Sequence, residues 1–296
     1  MTVRLEGKPV AEAIDRATRA AVVRTAPGAP PSLVSVHRGV ESPFRLYLGR
    51  QAKAAAALGV AFRDEALASG GGPAELTATI RALDGDPNVH GVLLEHPLPP
   101  PFDFVRAIEP LRPAKDVDGV GPHSLGLLAV QRPIHVPAVA RAAVAIARHY
   151  ELPLAGNRVA VIGRSDTVGR PLALLLSARP PGENATVTIV HSQSPDLKGC
   201  LEGVRTIFSC VGHPGLLDRS VVPRGAHIVD VGLSSVPDPS RPSGVRAVGD
   251  ADPAALDGWA ESLTPVPGGV GPVTVAELMA ATVRAQELLA SPRGTR

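Results

Sequence analysis

Short apolar runs alternate with helix-forming stretches along most of this 296-residue chain. "PSLVSVH" (31–37) is a compact apolar run, and a helical stretch follows it. "GVAFRDEAL" (59–67) is the next extended candidate, and residues 74–83, "AELTATIRAL", carry apolar residues at helical spacing. "VHGVLLEHPLPP" (89–100) is an apolar strand stopped by prolines. Residues 137–150 read as a helix; "RVAVIGRSDTVGRPLALLLSA" (158–178) then reads as strand, turn and helix, with further strands in "ATVTIVHSQS", "VRTIFSCVG" and "AHIVDVGL". Strands separated by helices make βαβ units, so the expected fold is α/β with a parallel sheet. The even spacing of the strands after 158 suggests a dinucleotide-binding unit. "PLRPAKDVDGVGPHS" (110–124) is polar and rich in Pro and Gly, and is expected to be a domain junction. After Trp259 a Gly/Pro loop feeds a terminal helix, with Thr274 as the expected N-cap and Glu277 completing a capping box.

The length allows two modest domains or one large one. A net charge of +2 gives no basis for a nucleic-acid or anionic-membrane partner. Cys200 and Cys210 are too few for a disulfide framework or a zinc site, and no metal is expected. No apolar run approaches a membrane span, and "MTVRLEGKPVAEAI" has no apolar leader segment, so a cytoplasmic protein is expected. The only lysines are Lys8, Lys53, Lys115 and Lys198, which leaves few candidates for amine chemistry.

"YLGRQAKAAAALGV" (47–60) is a strong helix former. Tyr47 and Gln51, four apart, share a face of it, whereas Lys53 is turned about 200° from Gln51. That face is either packing or chemistry. "VIGRSDTVGRP" (161–171) sets Gly163 after a strand and Gly169 before a helix, a spacing unlike the common G-x-G-x-x-G. It is either a tight turn without a ligand or a phosphate-binding turn, in which Arg164 and Ser165 can reach phosphate. Arg164 is otherwise a solvated loop arginine. The next strand ends in His191 and Ser192, where NAD enzymes carry an acid for the ribose hydroxyls. A missing acid with an arginine nearby favours the 2′-phosphate of NADP.

Three stretches, "VIGRSDTVGRPLALLL", "KDVDGVGPHSLGLL" and "TPVPGGVGPVTVAELMAATV", together resemble the methylenetetrahydrofolate dehydrogenase/cyclohydrolase family, and "HGVLLEHPLPP" resembles its Pro-Leu-Pro loop. The resemblance runs from "LEGKPVA" to the final helix. It implies a Rossmann-type NADP domain, over 137–267, and a second α/β folate domain, over 1–136, completed by the C-terminal segment 268–296. It also implies folate bound in the cleft, NADP as cofactor, a tetrahydrofolate one-carbon derivative as substrate and a homodimer. Tyr47 corresponds to the family's active-site tyrosine and Asp118 to the aspartate that grips the pterin; a carboxylate suits that task because it accepts two hydrogen bonds. A loop aspartate capping a turn is the other reading of Asp118. Leu94, Glu95, His96, Pro267, Gly268, Gly269, Val270 and Thr274 correspond to folate-lining positions. Gly163, Arg164, Ser165, Ser192 and Leu233 correspond to cofactor contacts.

The chain departs from the family pattern at three places. Gln51 stands where the resemblance implies a catalytic lysine, Glu95 where it implies a glutamine, and Phe44 where it implies a serine. Hydride transfer needs alignment and tolerance of a developing cation; hydration and ring opening of the methenyl product need a proton carrier. An amide does not titrate in the useful range. The expectation is an NADP-dependent methylenetetrahydrofolate dehydrogenase with weak or absent cyclohydrolase activity. Catalytic candidates are Tyr47, Gln51, Glu95 and Asp118. Glu95 is open to three readings: stabiliser of cation, base on water, or hydrogen-bond partner of Tyr47 or Gln51. The alternatives are a specialised paralogue using Glu95 as acid/base on another one-carbon or imine substrate, a fully bifunctional enzyme, and a non-catalytic binding protein; an intact Arg164, Ser165 and Ser192 set argues against the last.

Overall fold

The computed structural model describes residues 1–25, 29–38, 42–67, 71–180, 182–241 and 244–291, with the backbone alone at 25 and 42–46. In chain order the elements are β1 (Val3–Arg4), α1 (Gly7–Thr25), β2 (Ser32–His37), α2 (Ser42–Leu58), β3 (Ala61–Ala66), α3 (Pro73–Gly85), β4 (Gly91–Leu94), α4 (Phe104–Ile108), α5 (Pro122–Ala129) and α6 (Ala138–His149). They continue with β5 (Arg158–Ile162), α7 (Gly169–Ser177), β6 (Thr186–Val190), α8 (Leu197–Leu201), β7 (Thr206–Ser209), β8 (His227–Asp230), β9 (Ser234–Pro237), β10 (Val245–Val248), α9 (Pro253–Leu256), β11 (Ser262–Leu263) and α10 (Val270–Ala290). Two compact units result: Met1–Ala11 with Val139–Thr274, and Glu12–Ala138 with Val275–Arg296.

The first unit carries a six-stranded parallel sheet in the order β1-β11-β8-β7-β5-β6, with β9 and β10 as an antiparallel pair beside it in sequence. Because β5 is flanked by β6 on one side and β7 on the other, the strand order reverses there. The carboxyl ends of β5 and β7 therefore border the crevice where doubly wound sheets take ligands. The core packs Ala160, Ile162, Ile207, Ile228, Leu201 and Leu217, each all but fully buried. A buried aliphatic side chain of this kind contributes about 1.5–3 kcal/mol. The first eleven residues fall in this unit because β1 pairs with β11, Val3 opposite Ser262.

The second unit is built on the parallel sheet β3-β2-β4. Strand side chains alternate between faces. Val34 and Val36 of β2, with Val92 and Leu94 of β4, pack against α3 and α4 through Leu76, Ile80 and Ile108. Leu33 and Leu93 face the other way, into a core with Ala55 and Leu58 of α2 and Leu278, Met279 and Val283 of α10. Both faces of β2 and β4 are covered, which explains why β4 reads as a continuous apolar run, whereas β3, at the sheet edge, is polar and largely exposed.

Three expectations are corrected. The 110–124 stretch is an interior part of the second unit: Lys115, Asp116 and Asp118 are buried. Two of its buried charged groups are bonded, one across the unit and one within the stretch. Lys115 Nζ donates to the carbonyls of Leu83, Asp84 and Asp86 at 3.1, 2.8 and 2.6 Å. Asp116 accepts from the amides of Gly119 and Gly121 at 3.0 and 2.8 Å. Next, α10 begins at Val270, so Thr274 lies inside it; its hydroxyl donates back to the Val270 carbonyl at 3.1 Å and caps nothing. Gly268, at φ 116°, and the Gly269 amide bond to Pro265 O place the start of the helix five residues earlier than expected. Finally, α2 begins at Ser42, ahead of Tyr47, with Pro43 in its first turn, where a missing N–H costs nothing.

Candidate functional site

The alternation of the strands places the polar groups of the second unit. Ser35 and His37 share a face of β2 with Leu33, and Glu95, one residue past β4, continues the face of Leu93. That is the face covered by α2. On the helix, Leu48, Gln51, Ala55 and Leu58 fall at spacings of three and four and are all buried. Gln51 is thus an amide in the middle of an apolar stripe, 0% exposed. Its Nε2 donates to Glu95 Oε1 at 2.8 Å, and the Ser35 hydroxyl donates to the same oxygen at 2.9 Å. Gln51 Oε1 is buried with no hydrogen-bond partner among the described residues. An unpaired buried acceptor of this kind costs about 1–3 kcal/mol.

Burial raises the pKa of Glu95; hydrogen bonds from Gln51 and Ser35, and the nearby His37, oppose the rise. Asp118, held by the Ala138 amide at 3.3 Å, is pushed up to about 7, chiefly by burial and then by the charges of Asp116 and Glu95. Burial, followed by Asp118 and Glu95, also drives the Tyr47 phenol upward, with Gln51 opposing. The buried Gln51, Glu95 and Asp118 and the half-buried Tyr47 therefore form one interacting group. Sequence reasoning missed Ser35 and His37, although two polar side chains on one face of an otherwise apolar strand were a readable signal. Lysine is absent from this group: Lys8, Lys53 and Lys198 are exposed and Lys115 is tied to its three carbonyls.

Leu94 faces the opposite core. His96 is joined to Pro97 by a cis peptide bond and packs edge-on to Phe104 at 5.3 Å, and burial lowers its pKa, favouring the neutral ring. Phe44 lies outside the residues whose side chains are described. Pro267, Gly268, Gly269, Val270 and Thr274 belong to the first unit, so the expected folate positions are divided between the two units.

In the first unit, β5 runs into Gly163, buried at φ 114°. A Cβ there would lie 2.9 Å from Cys210 O, and one on Gly169 would lie 2.3 Å from Gly163 O. The turn closes only with glycine at both positions. The Ser165 hydroxyl accepts from the amides of Val168 and Gly169 at 3.2 and 3.3 Å, capping α7. Arg164 and Ser192 are exposed, and no acid follows β6 before Asp196. Leu233 is exposed just beyond Gly232, after β8. A glycine turn opening a helix at the point of strand reversal, with no acid to bond a ribose hydroxyl, is a shape that fits a phosphorylated dinucleotide.

Residues 5–118 match the family model described as the tetrahydrofolate dehydrogenase/cyclohydrolase catalytic domain, and residues 137–290 match that family's NAD(P)-binding domain. The chain is 39% identical over 287 residues to the bifunctional protein FolD of Nocardia farcinica, covering 97% of this chain and 98% of the relative. It is 38% identical over 276 residues to that of Chlamydia abortus, covering 93% and 95%. Among solved structures, it resembles the Trypanosoma brucei N5,N10-methylenetetrahydrofolate dehydrogenase-cyclohydrolase complexed with NADP cofactor and inhibitor, at 34% identity, TM-score 0.89 and 97% of each chain. It also resembles a 5,10-methylenetetrahydrofolate dehydrogenase from the silkworm Bombyx mori, at 31% identity, TM-score 0.89, and 97% and 98% of the two chains. With both halves of the chain matched and the glycine turn and buried carboxyls in place, the chain belongs to the tetrahydrofolate dehydrogenase/cyclohydrolase family.

Proposed function

We propose that this protein is an NADP-dependent methylenetetrahydrofolate dehydrogenase whose cyclohydrolase activity is weak or absent. The observation that carries this reading is the amide at Gln51, hydrogen-bonded to Glu95 inside a group that holds no amine. Oxidation of the methylene bridge moves a hydride and leaves a cation, with no proton to be placed. NADP, when bound, supplies the hydride acceptor. Asp118 is the group suited to the aminopyrimidine edge of the pterin, because its ionised carboxylate accepts two hydrogen bonds. The negative potential of Glu95 and Asp118 favours a positive charge developing beside them. Tyr47, with its pKa driven up, stays a neutral phenol and contributes a hydrogen bond and a ring face.

Hydration of the methenyl cation is different, because a proton must leave water and another must reach the ring nitrogen. Gln51 can do neither. Glu95 Oε1 is already shared by two donors, which suits holding Gln51 in place better than moving protons. Arg164, with no acid at Ser192, favours the cofactor with the extra phosphate.

The test is to mix the protein with methylenetetrahydrofolate and NADP and follow the absorbance of the methenyl species. Oxidation is expected, with the methenyl product persisting at close to its decay rate in buffer. Hydrolysis by the protein faster than oxidation would overturn the second part of the proposal, and no oxidation with either nicotinamide cofactor would overturn the first.

A further inference from the structure

We infer that Asp250 is a positioning residue for the dinucleotide, acting through the segment Ser209–His213 that follows β7; this rests on the dinucleotide reading of the Gly163 turn. Asp250 is 0% exposed. Its Oδ2 accepts from the Ser209 hydroxyl at 2.6 Å and the Val211 amide at 3.0 Å, and its Oδ1 accepts from the His213 amide at 2.6 Å. All three donors come from one stretch of five residues. A carboxylate is the one side chain of this size that accepts at both ends and donates at neither.

That stretch is the neighbour of the cofactor turn. The Cys210 amide donates to the Ile162 carbonyl, the last residue of β5, at 2.8 Å. Its own carbonyl oxygen occupies the space that a side chain at Gly163 would need, 2.9 Å from the ideal Cβ. The turn is therefore seated against a backbone whose course Asp250 sets, at the carboxyl ends of the two strands where the sheet order reverses.

Asp230 closes the arrangement from the other side. Its Oδ1 accepts from the Gly232 amide at 3.0 Å and its Oδ2 from the Ala251 amide at 2.8 Å. The two carboxyls fill spaces that only glycine leaves open. A Cβ on Gly232 would lie 2.2 Å from Asp250 Oδ1, and one on Gly249 would lie 2.1 Å from Asp230 Oδ2. The amides of Val231 and Gly232 both donate to Ser209 O, at 2.8 and 3.1 Å. Three segments, after β7, after β8 and at 249–251, are thus interlocked through two buried aspartates. A fold that needed only packing here would be served by apolar side chains, since a buried carboxylate is costly unless every oxygen is bonded.

The experiment uses the full chain and three variants, Asp250→Asn, Ser209→Ala and Gly232→Ala, with NADP as the probe. Dissociation constants come from protein fluorescence, KM and kcat from the oxidation assay, and binding of a folate analogue reports on the second unit. An asparagine turns one acceptor into a donor facing amide donors, so Asp250→Asn is expected to raise the NADP dissociation constant and KM about tenfold or more. Gly232→Ala, which leaves the carboxyl but displaces it, should do the same; Ser209→Ala should raise them about threefold. For all three, kcat at saturating NADP and folate-analogue affinity stay within about twofold of wild type. A lowered Tm with unchanged NADP affinity, or equal losses in kcat and in both affinities, would overturn the inference. If Asp250→Asn does not fold, Ser209→Ala decides alone, and an unchanged NADP affinity there counts against it. Failure of wild type to bind NADP would instead overturn the dinucleotide reading beneath it.

Discussion

The most informative single residue is Gln51, because its neighbours explain both what it does and what it cannot do. It spans from an apolar helix stripe to Glu95. Replacing it alone by lysine should recover little hydrolysis, since the new ammonium would sit against a carboxylate and stay protonated. Gln51→Lys with Glu95→Gln removes that pairing, and methenyl hydrolysis should rise at least tenfold above wild type, part of the roughly 10²–10⁴ that a fully positioned acid/base supplies. Stopped-flow absorbance of the methenyl species against a buffer control measures it. Arg164, exposed in the glycine turn, is the second side chain to test. Arg164→Ala should weaken NADP about tenfold while leaving NAD within about twofold, because only the former carries the extra phosphate. Equal losses for both cofactors would remove Arg164 from phosphate recognition.

At the scale of elements, the glycine turn after β5 makes the clearest prediction. Gly163→Ala adds a side chain at φ 114° directly against Cys210 O. It should cost about 1–3 kcal/mol and abolish measurable NADP binding while a folate analogue still binds. Calorimetric titration of both ligands separates the two effects. This turn was legible in the sequence, as were β2 through β8 and the helices α2, α3, α6 and α7, because apolar runs bounded by Gly and Pro have a local cause; the short helices α4, α5 and α8 were not. What was not legible has non-local causes. Strands β1 and β11, two residues each, exist only because each finds a partner far along the chain. The polar run 110–124 looked like a linker because nothing in it shows that Lys115 will find three carbonyls at the end of α3. Thr274 looked like a cap because Ser and Thr usually act as caps; the turn at Gly268 had already started the helix. In the candidate site, motif resemblance had singled out Tyr47, Glu95 and Asp118, which the fold brings within electrostatic reach of one another. Ser35 and His37 had a signal in the alternation of β2 that went unread, whereas Asp230 and Asp250 come into view only when loop contacts are known.

For the whole molecule, the buried carboxyls tie stability to pH. Asp118, pushed up to about 7, and Asp230, pushed up to about 6, both titrate in the folded protein well above the ordinary aspartate value of 3.8. A carboxyl raised in this way binds its proton more tightly folded than unfolded. Its contribution is fully present below about pH 4 and is lost as pH rises through the folded value. Asp118→Asn should therefore raise the Tm by about 2 °C or more at pH 8, with the difference shrinking toward zero below pH 5, while folate binding is lost. Scanning calorimetry from pH 5 to 8 checks it; a variant less stable than wild type at pH 8 would refute it. Both units also draw on opposite ends of the chain. The first needs Val3 and Arg4 beside β11, and the second needs Leu278, Met279 and Val283 from α10 for its core. On a ribosome, where domains generally fold as they emerge, the first unit is not complete until Thr274 has been made and the second not until α10 has. The face of β2 and β4 that carries Leu33 and Leu93 therefore stays open while β5 through β11 are being made, so the interval of exposure is set by the length of chain threaded between β4 and α10.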